Sequence, residues 1–326
     1  MSELALAAFA AERGAHLIRE PRDRAYVAFK RSFDVAGFLA GLAEAGVRWL
    51  TRSDSAFPPL LRAIHDPPAG LFVRGAAEVE LLGRAAVGIV GARSCSPYGA
   101  QVARMLGREL AAAGLVVVSG LARGIDGEAH RGALDAGGVT VAVLGCGIDR
   151  DYPASHAELA ARIRATGLAV SEYAPGVEPA PWRFPARNRI IAGLCDATVV
   201  VEARERSGAL ITADLALEEG REVLAVPGEI TSALSGGTNS LLRLGATPLT
   251  GSGDVLELFG LSPAAATAVD LSETAENVLG RLRDGPASAD ELARATGLGA
   301  GALASALTEL ELAGVAVAAG GVFRAD

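Results

Sequence analysis

A strand–turn–helix pattern that occurs twice in succession decides the fold of this chain. Residues 87–136 read VGIVGARSCSPYGAQVARMLGRELAAAGLVVVSGLARGIDGEAHRGALDA. Two apolar runs rich in β-branched residues, at 87–90 and 115–119, each end at a glycine turn that leads into a segment of helical length. Nearly continuous apolar runs of this length are typical of parallel strands that helices cover on both faces. The stretch therefore predicts two successive strand–helix units of a parallel sheet.

The same alternation continues towards the carboxyl end of the chain. Together with the two runs above, it predicts six strands, at 87–90, 115–119, 139–144, 169–171, 198–202 and 223–226. Helices are predicted between them at 99–113, 125–136, 156–166 and 209–218. This order of elements predicts an α/β fold, an extended Rossmann-like domain with a doubly wound, mostly parallel sheet.

The segments on either side have different patterns, so three domains are expected. Residues 1–55 are rich in alanine with apolar residues at helical spacing, and they predict a small helical domain, either SAM-like or a helix hairpin. The Rossmann-like domain is expected over 56–262. A third domain is expected over 263–326, and a linker is expected at 261–270, where these two domains meet in sequence.

The third domain has the pattern of a winged helix. An apolar hairpin across Gly320 and Gly321 follows its helical segments, and Ser288 with Glu291 predicts a capping box at the second helix. Three helices followed by a β-hairpin wing are typical of a winged helix-turn-helix. The helices are predicted at 271–284, 289–296 and 300–312.

Composition excludes several classes of protein. The chain of 326 residues has no uninterrupted apolar run of the roughly 18 residues that a transmembrane helix needs. Its first residues lack the basic region of a secretion signal. The three cysteines, Cys95, Cys146 and Cys195, form no CxxC pair, so neither a disulfide framework nor a zinc site is indicated. A cytoplasmic protein with no membrane partner, no metal and no cofactor is expected.

The charge balance is acidic, with a net charge of −8. Taken alone this argues against nucleic-acid binding, because neutralised phosphates provide most of the non-specific affinity. A local basic groove can still make such contacts. Lys30 is the only lysine, so nearly all positive charge is arginine, whose planar guanidinium suits phosphate contacts and stacking on bases.

Two glycine turns follow the strands of the opening stretch, where a sheet of this class binds its ligands. Each turn, at 91–99 and at 119–124, combines glycine, serine and arginine before a helix N-terminus, an arrangement that binds anions. Neither turn has the GxGxxG spacing of a dinucleotide fingerprint or the GK[ST] of a Walker A loop. The candidate residues of these turns are Arg93, Ser94, Ser119, Gly120, Arg123 and Gly124.

The segment 182–189, WRFPARNR, gives the sharpest indication of nucleic-acid binding. Three arginines alternate with two aromatic residues before the helix that precedes the 198–202 strand. Aromatic rings stack on bases without reading sequence, while arginines follow the backbone. A further turn at 202–209 adds another helix N-terminus. The candidate residues here are Arg183, Phe184, Arg187, Asn188, Arg189, Ser207 and Gly208. Replacement of Arg93 or Arg187 by alanine is expected to weaken DNA binding with little effect on Tm.

Catalytic and metal-binding arrangements have weaker support. Asp126 and His130 are four residues apart on a predicted helix, which favours a structural Asp–His hydrogen bond over a metal pair, because no further ligand follows at zinc spacing. Ser119 completes the residue types of a catalytic triad, but all three lie in one short segment. No catalytic residues and no metal ligands are therefore predicted.

Seven segments of the central region, read together, resemble the DNA processing protein A (DprA/Smf) family. The resemblance implies a Rossmann-like protein that is not an enzyme, that binds single-stranded DNA and that hands it to the RecA recombinase in natural transformation. It also implies a homodimer, and it assigns DNA contacts to Arg93, to the 119–124 turn and to 184–189. The matching segments cover 57–75, 88–99, 117–134, 140–153, 171–176, 184–203 and 207–228.

Two other functions compete with this interpretation. The fold and the glycines after residue 227 are also similar to nucleoside-monophosphate phosphoribohydrolases of the lysine-decarboxylase-like group, in which Glu202 or Glu229 would act on the ribose. Pro227-Gly228-Glu229 lacks the second glycine of that group's PGGxGTxxE pattern. A winged-helix transcription regulator with a nucleotide-sensing domain is the third possibility.

The predicted recognition helix weakens the regulator hypothesis. Residues 299–312 contain no arginine or lysine, whereas reading of the major groove normally uses polar or basic side chains. We therefore expect this module to contact protein or to pack in the dimer.

Overall fold

One nine-stranded sheet organises the chain before residue 263. The computed structural model describes residues 2–13, 21–262 and 271–325. The strand order is β1-β2-β6-β5-β4-β3-β7-β8-β9. All neighbours from β6 to β9 pair in parallel, whereas β2 is antiparallel to β6 and β1 to β2. The strands are β1 (Val47–Thr51), β2 (Gly70–Arg74), β3 (Ala86–Val90), β4 (Val116–Ser119), β5 (Thr140–Val143), β6 (Leu168–Ser171), β7 (Ala197–Val200), β8 (Glu222–Ala225) and β9 (Thr247–Pro248).

Helices alternate with these strands and cover the sheet. They are α1 (Ser2–Arg13), α2 (Arg24–Ser32), α3 (Val35–Glu44), α4 (Pro59–Ala63), α5 (Pro97–Ala112), α6 (Ile125–Asp135), α7 (Ala157–Thr166), α8 (Arg183–Leu194), α9 (Gly208–Glu218), α10 (Gly236–Arg243) and α11 (Ser252–Leu258). The predicted doubly wound, mostly parallel sheet is confirmed. The six predicted strands and four predicted helices all occur, with ends within two residues of their expected positions.

Both faces of the sheet are apolar, as the continuous runs predict. On β3, Val87 and Ile89 belong to the buried cluster that includes α5 and α6 residues, and Val90 belongs to the cluster that includes α8 and α9 residues. Successive side chains of a strand point to opposite faces, so a strand covered on both sides, such as β3, is apolar on both.

The strand order reverses beside β3. The chain moves outward from β3 through β4, β5 and β6, and then returns to place β7 on the other side of β3. In open α/β sheets, the crevice between two such neighbouring strands is where ligands bind, at the carboxyl ends. The topology thus places the turns after β3 and β7 side by side.

The N-terminal segment is joined to this sheet. Strand β1 lies within the expected helical domain of residues 1–55, and it pairs along its length with β2. A single compact unit spans Met1–Ala264, so the expected boundary at residue 55 falls inside it. The helices α1, α2 and α3 agree with the expected helical character, and a separate role for residues 1–55 remains a prediction.

The second compact unit, Ala265–Asp326, has the predicted winged-helix fold. Its sheet has the order β10-β12-β11, with β11 and β12 as the wing. Ser288 and Glu291 form the predicted capping box at α13. Residues 263–270 of the expected linker lie outside the described residues. The elements are α12 (Glu273–Arg283), β10 (Ala287–Ser288), α13 (Ala289–Thr296), α14 (Ala300–Leu312), β11 (Ala316–Ala319) and β12 (Val322–Ala325).

Among the described residues, every helix is too short or too polar to cross a lipid bilayer.

Candidate nucleic-acid interface

A cavity of about 210 Å³, here called the cleft, opens where the strand order reverses. Its walls come from the turn after β3, from α6 and the turn before it, and from α8 and α9 with the turn before α9. All four segments that the sequence singled out therefore contribute to one cavity. The lining residues are Val90, Gly91, Arg93, Ala122, Asp126, Phe184, Pro185, Arg187, Asn188, Ile191, Ser207, Gly208, Ala209 and Thr212.

Main-chain hydrogen bonds hold three of these turns together. The Ala92 N–H donates to the Glu202 carbonyl oxygen over 2.7 Å, and the Ala92 carbonyl accepts from Ile125 N over 3.2 Å. Gly124 has φ +73°, and a Cβ there would lie 2.2 Å from the Ala92 oxygen, so the two backbones meet at a distance that only glycine permits. The turns are thus held rigidly by backbone contacts.

The first turn exposes Arg93 and Ser94 and then starts α5. Ser96 is the N-cap of α5, and its hydroxyl accepts from Gly99 N over 3.0 Å. The buried Glu202 carboxylate accepts from the Ser96 N–H over 2.9 Å and from its hydroxyl over 2.5 Å. Glu202 therefore fixes the turn from below while Arg93 stays exposed above it.

The second turn differs from the prediction. Ser119 is fully buried and its hydroxyl donates to the Ile89 carbonyl over 2.6 Å, so it does not reach the cleft. The Gly120 N–H, predicted to contact phosphate, donates to the Asp126 carboxylate over 3.1 Å. Burial raises the pKa of Asp126, and the Arg187 guanidinium opposes that shift. Arg123 is exposed in the same turn.

Residues 183–189, predicted to precede a helix, form the first two turns of α8. Arg187 is 4 % exposed, and its guanidinium donates to the Gly120 carbonyl over 2.9 Å and to the Val143 carbonyl. These two oxygens lie at the carboxyl ends of β4 and β5. Arg187 lines the cleft, but it acts as an internal brace between strand ends rather than as a solvated cation.

The other two arginines of α8 face away from the cleft lining. Arg189 is 7 % exposed and forms a bidentate ion pair with Glu172, with N–O distances of 2.9 and 2.7 Å. Arg183 donates to the Glu178 carbonyl and lies over the rings of Tyr173 and Trp182. Arg183 and Arg189 are thus held by partners inside the protein and do not line the cleft, so their contact with phosphate stays a prediction.

Phe184 is half-buried at the first turn of α8 and presents its ring to the cleft. The guanidinium carbon of Arg93 lies 5.1 Å from its centroid. A Cβ on Gly145 would lie 2.7 Å from Phe184 Cδ1, so the missing side chain of Gly145 provides the space for the ring. Phe184 and Arg93 thus place a flat apolar surface beside a positive charge.

The fourth turn closes the cleft with a helix N-terminus. The Ser207 hydroxyl accepts from Ala209 N over 3.3 Å and caps α9. Asn188 Nδ2 donates to the Gly208 carbonyl over 3.1 Å, which ties α9 to α8. A Cβ on Gly208 would meet nothing within 4 Å, so its backbone faces open space. The N-terminal amides and dipole of α9 therefore favour an anion here.

The predicted Asp126–His130 hydrogen bond is wrong. His130 Nδ1 is 2.7 Å from the Thr140 hydroxyl, which donates to the Val117 carbonyl over 2.6 Å. Because the only hydroxyl proton points to Val117, His130 Nδ1 is the donor of this pair. Burial lowers the pKa of His130 to about 3. Ser119, Asp126 and His130 thus have separate partners and form no triad.

Several cleft residues were missed by the sequence analysis. Ile191 follows Arg187 and Thr212 follows Gly208 at four-residue spacing, which is one helical turn. If a helix had been predicted over 183–194, this spacing would have placed Ile191 beside Arg187. Asp126 was predicted as a partner of His130, whereas it lines the cleft and accepts from the Gly120 N–H. No group of acidic, histidine or cysteine side chains suited to a metal occurs within the described ranges.

Two family models match the chain in succession. Residues 48–260 match DNA recombination-mediator protein A, and residues 262–321 match the DprA winged helix domain. The DNA processing protein DprA of Bacillus subtilis is 41 % identical over 219 residues, which are 67 % of this chain and 73 % of that protein.

Solved structures agree with this match. DNA processing protein A of Streptococcus pneumoniae is similar with a TM-score of 0.67 and 38 % identity, covering 79 % of this chain and 93 % of that one. DNA processing protein A of Helicobacter pylori, whose structure describes a single-stranded DNA binding mode, gives a TM-score of 0.59 and 31 % identity, covering 65 % and 95 %. The chain therefore belongs to the DNA processing protein A (DprA/Smf) family of DNA recombination mediators.

Proposed function

We propose that this chain binds single-stranded DNA in the cleft, without sequence specificity, and delivers it to the RecA recombinase. The observation that carries the proposal is the convergence of four strand-end turns on one cavity that presents Arg93, the Phe184 ring and the N-terminus of α9. A guanidinium and helix amides suit phosphate oxygens, and an aromatic ring suits the face of any base.

The form of the cleft favours a single strand over a duplex. A cavity of about 210 Å³ is too small to hold a duplex, and a base can stack on Phe184 only when it has left its pair. The described groups at the cleft bind backbone and base faces.

The relatives support the further steps of the proposal. The family is described as a recombination mediator, and the Helicobacter pylori protein is described by its binding of single-stranded DNA. We propose in addition, as the family resemblance implies, that the chain acts as a homodimer in the cytoplasm during natural transformation. RecA loading is tested by RecA ATPase activity on oligonucleotides coated with single-strand-binding protein. Addition of the chain should shorten the lag before RecA begins to hydrolyse ATP. An unchanged lag would remove RecA from the proposal.

The rival nucleotide hydrolase has less support. Of its two candidate carboxylates, Glu229 is exposed and does not line the cleft. Glu202 does not line the cleft either, and it accepts two hydrogen bonds from Ser96. A carboxylate held in this way has no free oxygen aimed at a ribose. We therefore propose that the chain is not an enzyme. Release of base from AMP by the parent protein, lost in Glu202→Gln, would favour the hydrolase instead.

The binding site is tested by fluorescence anisotropy with labelled dT oligonucleotides and with a duplex of the same length. The parent should prefer the single strand, and Arg93→Ala should weaken binding about tenfold, because it removes a charge-assisted phosphate contact. Arg31→Ala is the matched control, since Arg31 is an exposed arginine on α2 that does not line the cleft. Equal affinity of Arg93→Ala and the parent would move the site elsewhere.

A further inference from the structure

We infer that Tyr152 is a second base-stacking residue, which continues the path of the single strand beyond Phe184 and along the turn after β5. The inference rests on the proposed function and adds a residue that lies outside the cleft lining. The Tyr152 ring is stacked on Phe184, with centroids 5.4 Å apart and an interplanar angle of 25°. The Arg93 guanidinium also lies over the Phe184 ring, so Phe184 has a flat neighbour in each of these two residues.

Tyr152 is an exposed aromatic side chain that lies against another ring. Its relative exposure is 43 %, although Phe184 already covers part of the ring. What distinguishes it from other exposed aromatic side chains, such as Tyr98, is its stacking contact with a residue that lines the cleft. Stacking of a base on the outer part of the ring would remove that apolar surface from water.

The turn that carries Tyr152 is fixed on the residue's amino-terminal side. Asp151 forms a bidentate ion pair with Arg164, with N–O distances of 2.5 and 3.1 Å. The Arg150 guanidinium reaches Glu178 over 2.7 Å, and Gly176 N donates to Asp149 over 2.9 Å. A ring presented on a fixed turn loses little conformational entropy when a base stacks on it. Tyr152 is therefore organised in advance as a platform.

Stacking requires the ring and not the hydroxyl. Tyr152→Ala should weaken binding of a dT oligonucleotide about tenfold, which lies within the range for one stacked base. Tyr152→Phe should bind like the parent. Tyr98→Ala is the matched control, because Tyr98 is 48 % exposed but lines a separate cavity with Val226 and Leu249.

The stacking itself is read with oligonucleotides that carry 2-aminopurine at one position at a time, since its fluorescence is quenched when it stacks. The parent should quench the probe at two neighbouring positions, and Tyr152→Ala should restore fluorescence at one of them. Full quenching and parental affinity in Tyr152→Ala, together with weak binding in Arg93→Ala, would overturn the role of Tyr152 and leave the cleft in place. If neither variant weakened binding, the proposed function would fail as well.

Discussion

Replacement of Arg187 by alanine is expected to destabilise the fold by about 3 kcal/mol, unlike the neighbouring Arg93. The Arg187 guanidinium is buried and donates to two carbonyl groups, and a buried polar group that loses its partner costs about 1–3 kcal/mol. The substitution also removes the largest of the positive charges that favour the ionised form of the buried Asp126, and removal of the partner of a buried charge costs up to about 3–5 kcal/mol. We expect the lower end of that range because Asp126 can take up a proton.

Urea unfolding of both variants at two pH values measures this difference. Arg187→Ala should lose about 3 kcal/mol at pH 7, while Arg93→Ala, an exposed surface change, should stay within about 0.5 kcal/mol of the parent. In Arg187→Ala the folded-state pKa of Asp126 is raised further above the unfolded value, so the folded form gains stability as pH falls. The loss should be smaller at pH 5 than at pH 7. Parental stability of Arg187→Ala would refute the internal role of this side chain and restore the original expectation.

Three other substitutions or conditions test separate parts of the structure. Burial lowers the pKa of His130 to about 3, so below pH 6.5 the unfolded state binds more protons than the folded state. The parent should therefore lose about 2 kcal/mol of its free energy of unfolding between pH 7 and pH 5, and His130→Leu should not show this loss. Parallel pH profiles in urea unfolding would contradict this. Gly145→Ala should weaken binding of dT oligonucleotides, because the added methyl group displaces Phe184. Gly41→Ala is the control, since its added methyl group has nothing within 4 Å. Equal affinity of the two variants in anisotropy titrations would exclude the steric contact. Affinity for a dT oligonucleotide should fall with salt at a log–log slope of about −0.7 per phosphate contacted, and a flat response would exclude an arginine-lined site.

Most of the sheet could be predicted because its parallel strands are short, nearly continuous apolar runs in the sequence. The runs at 87–90 and 223–226 are apolar on both faces, which few other structures allow. Strand β1 was missed because Val47–Thr51 includes Arg48 and follows alanine-rich helices, and its pairing partner β2 is distant in sequence. Pairing at that distance depends on tertiary contacts, which local patterns do not contain.

The location of the site was also predictable, since parallel strands bring their carboxyl ends to one edge. The contacts that individual side chains make were not predictable. Arg187 and Arg189 read as phosphate contacts, yet one satisfies strand-end carbonyls and the other pairs with Glu172. A sequence does not show which backbone oxygens a sheet leaves without donors, so an arginine that serves them looks the same as a solvated one. Tyr152 was missed because its stacking partner lies on another element.

Photo-crosslinking of a single strand that carries 5-iododeoxyuridine tests the central claim most directly, because it reports which residues touch the bases. After proteolysis and mass spectrometry, the crosslinked peptides should contain Phe184, and at the neighbouring nucleotide Tyr152, with the signal lost in excess salt. Crosslinks confined to the winged-helix unit, or to the helices α1–α3, would contradict a binding site at the reversal of the strand order.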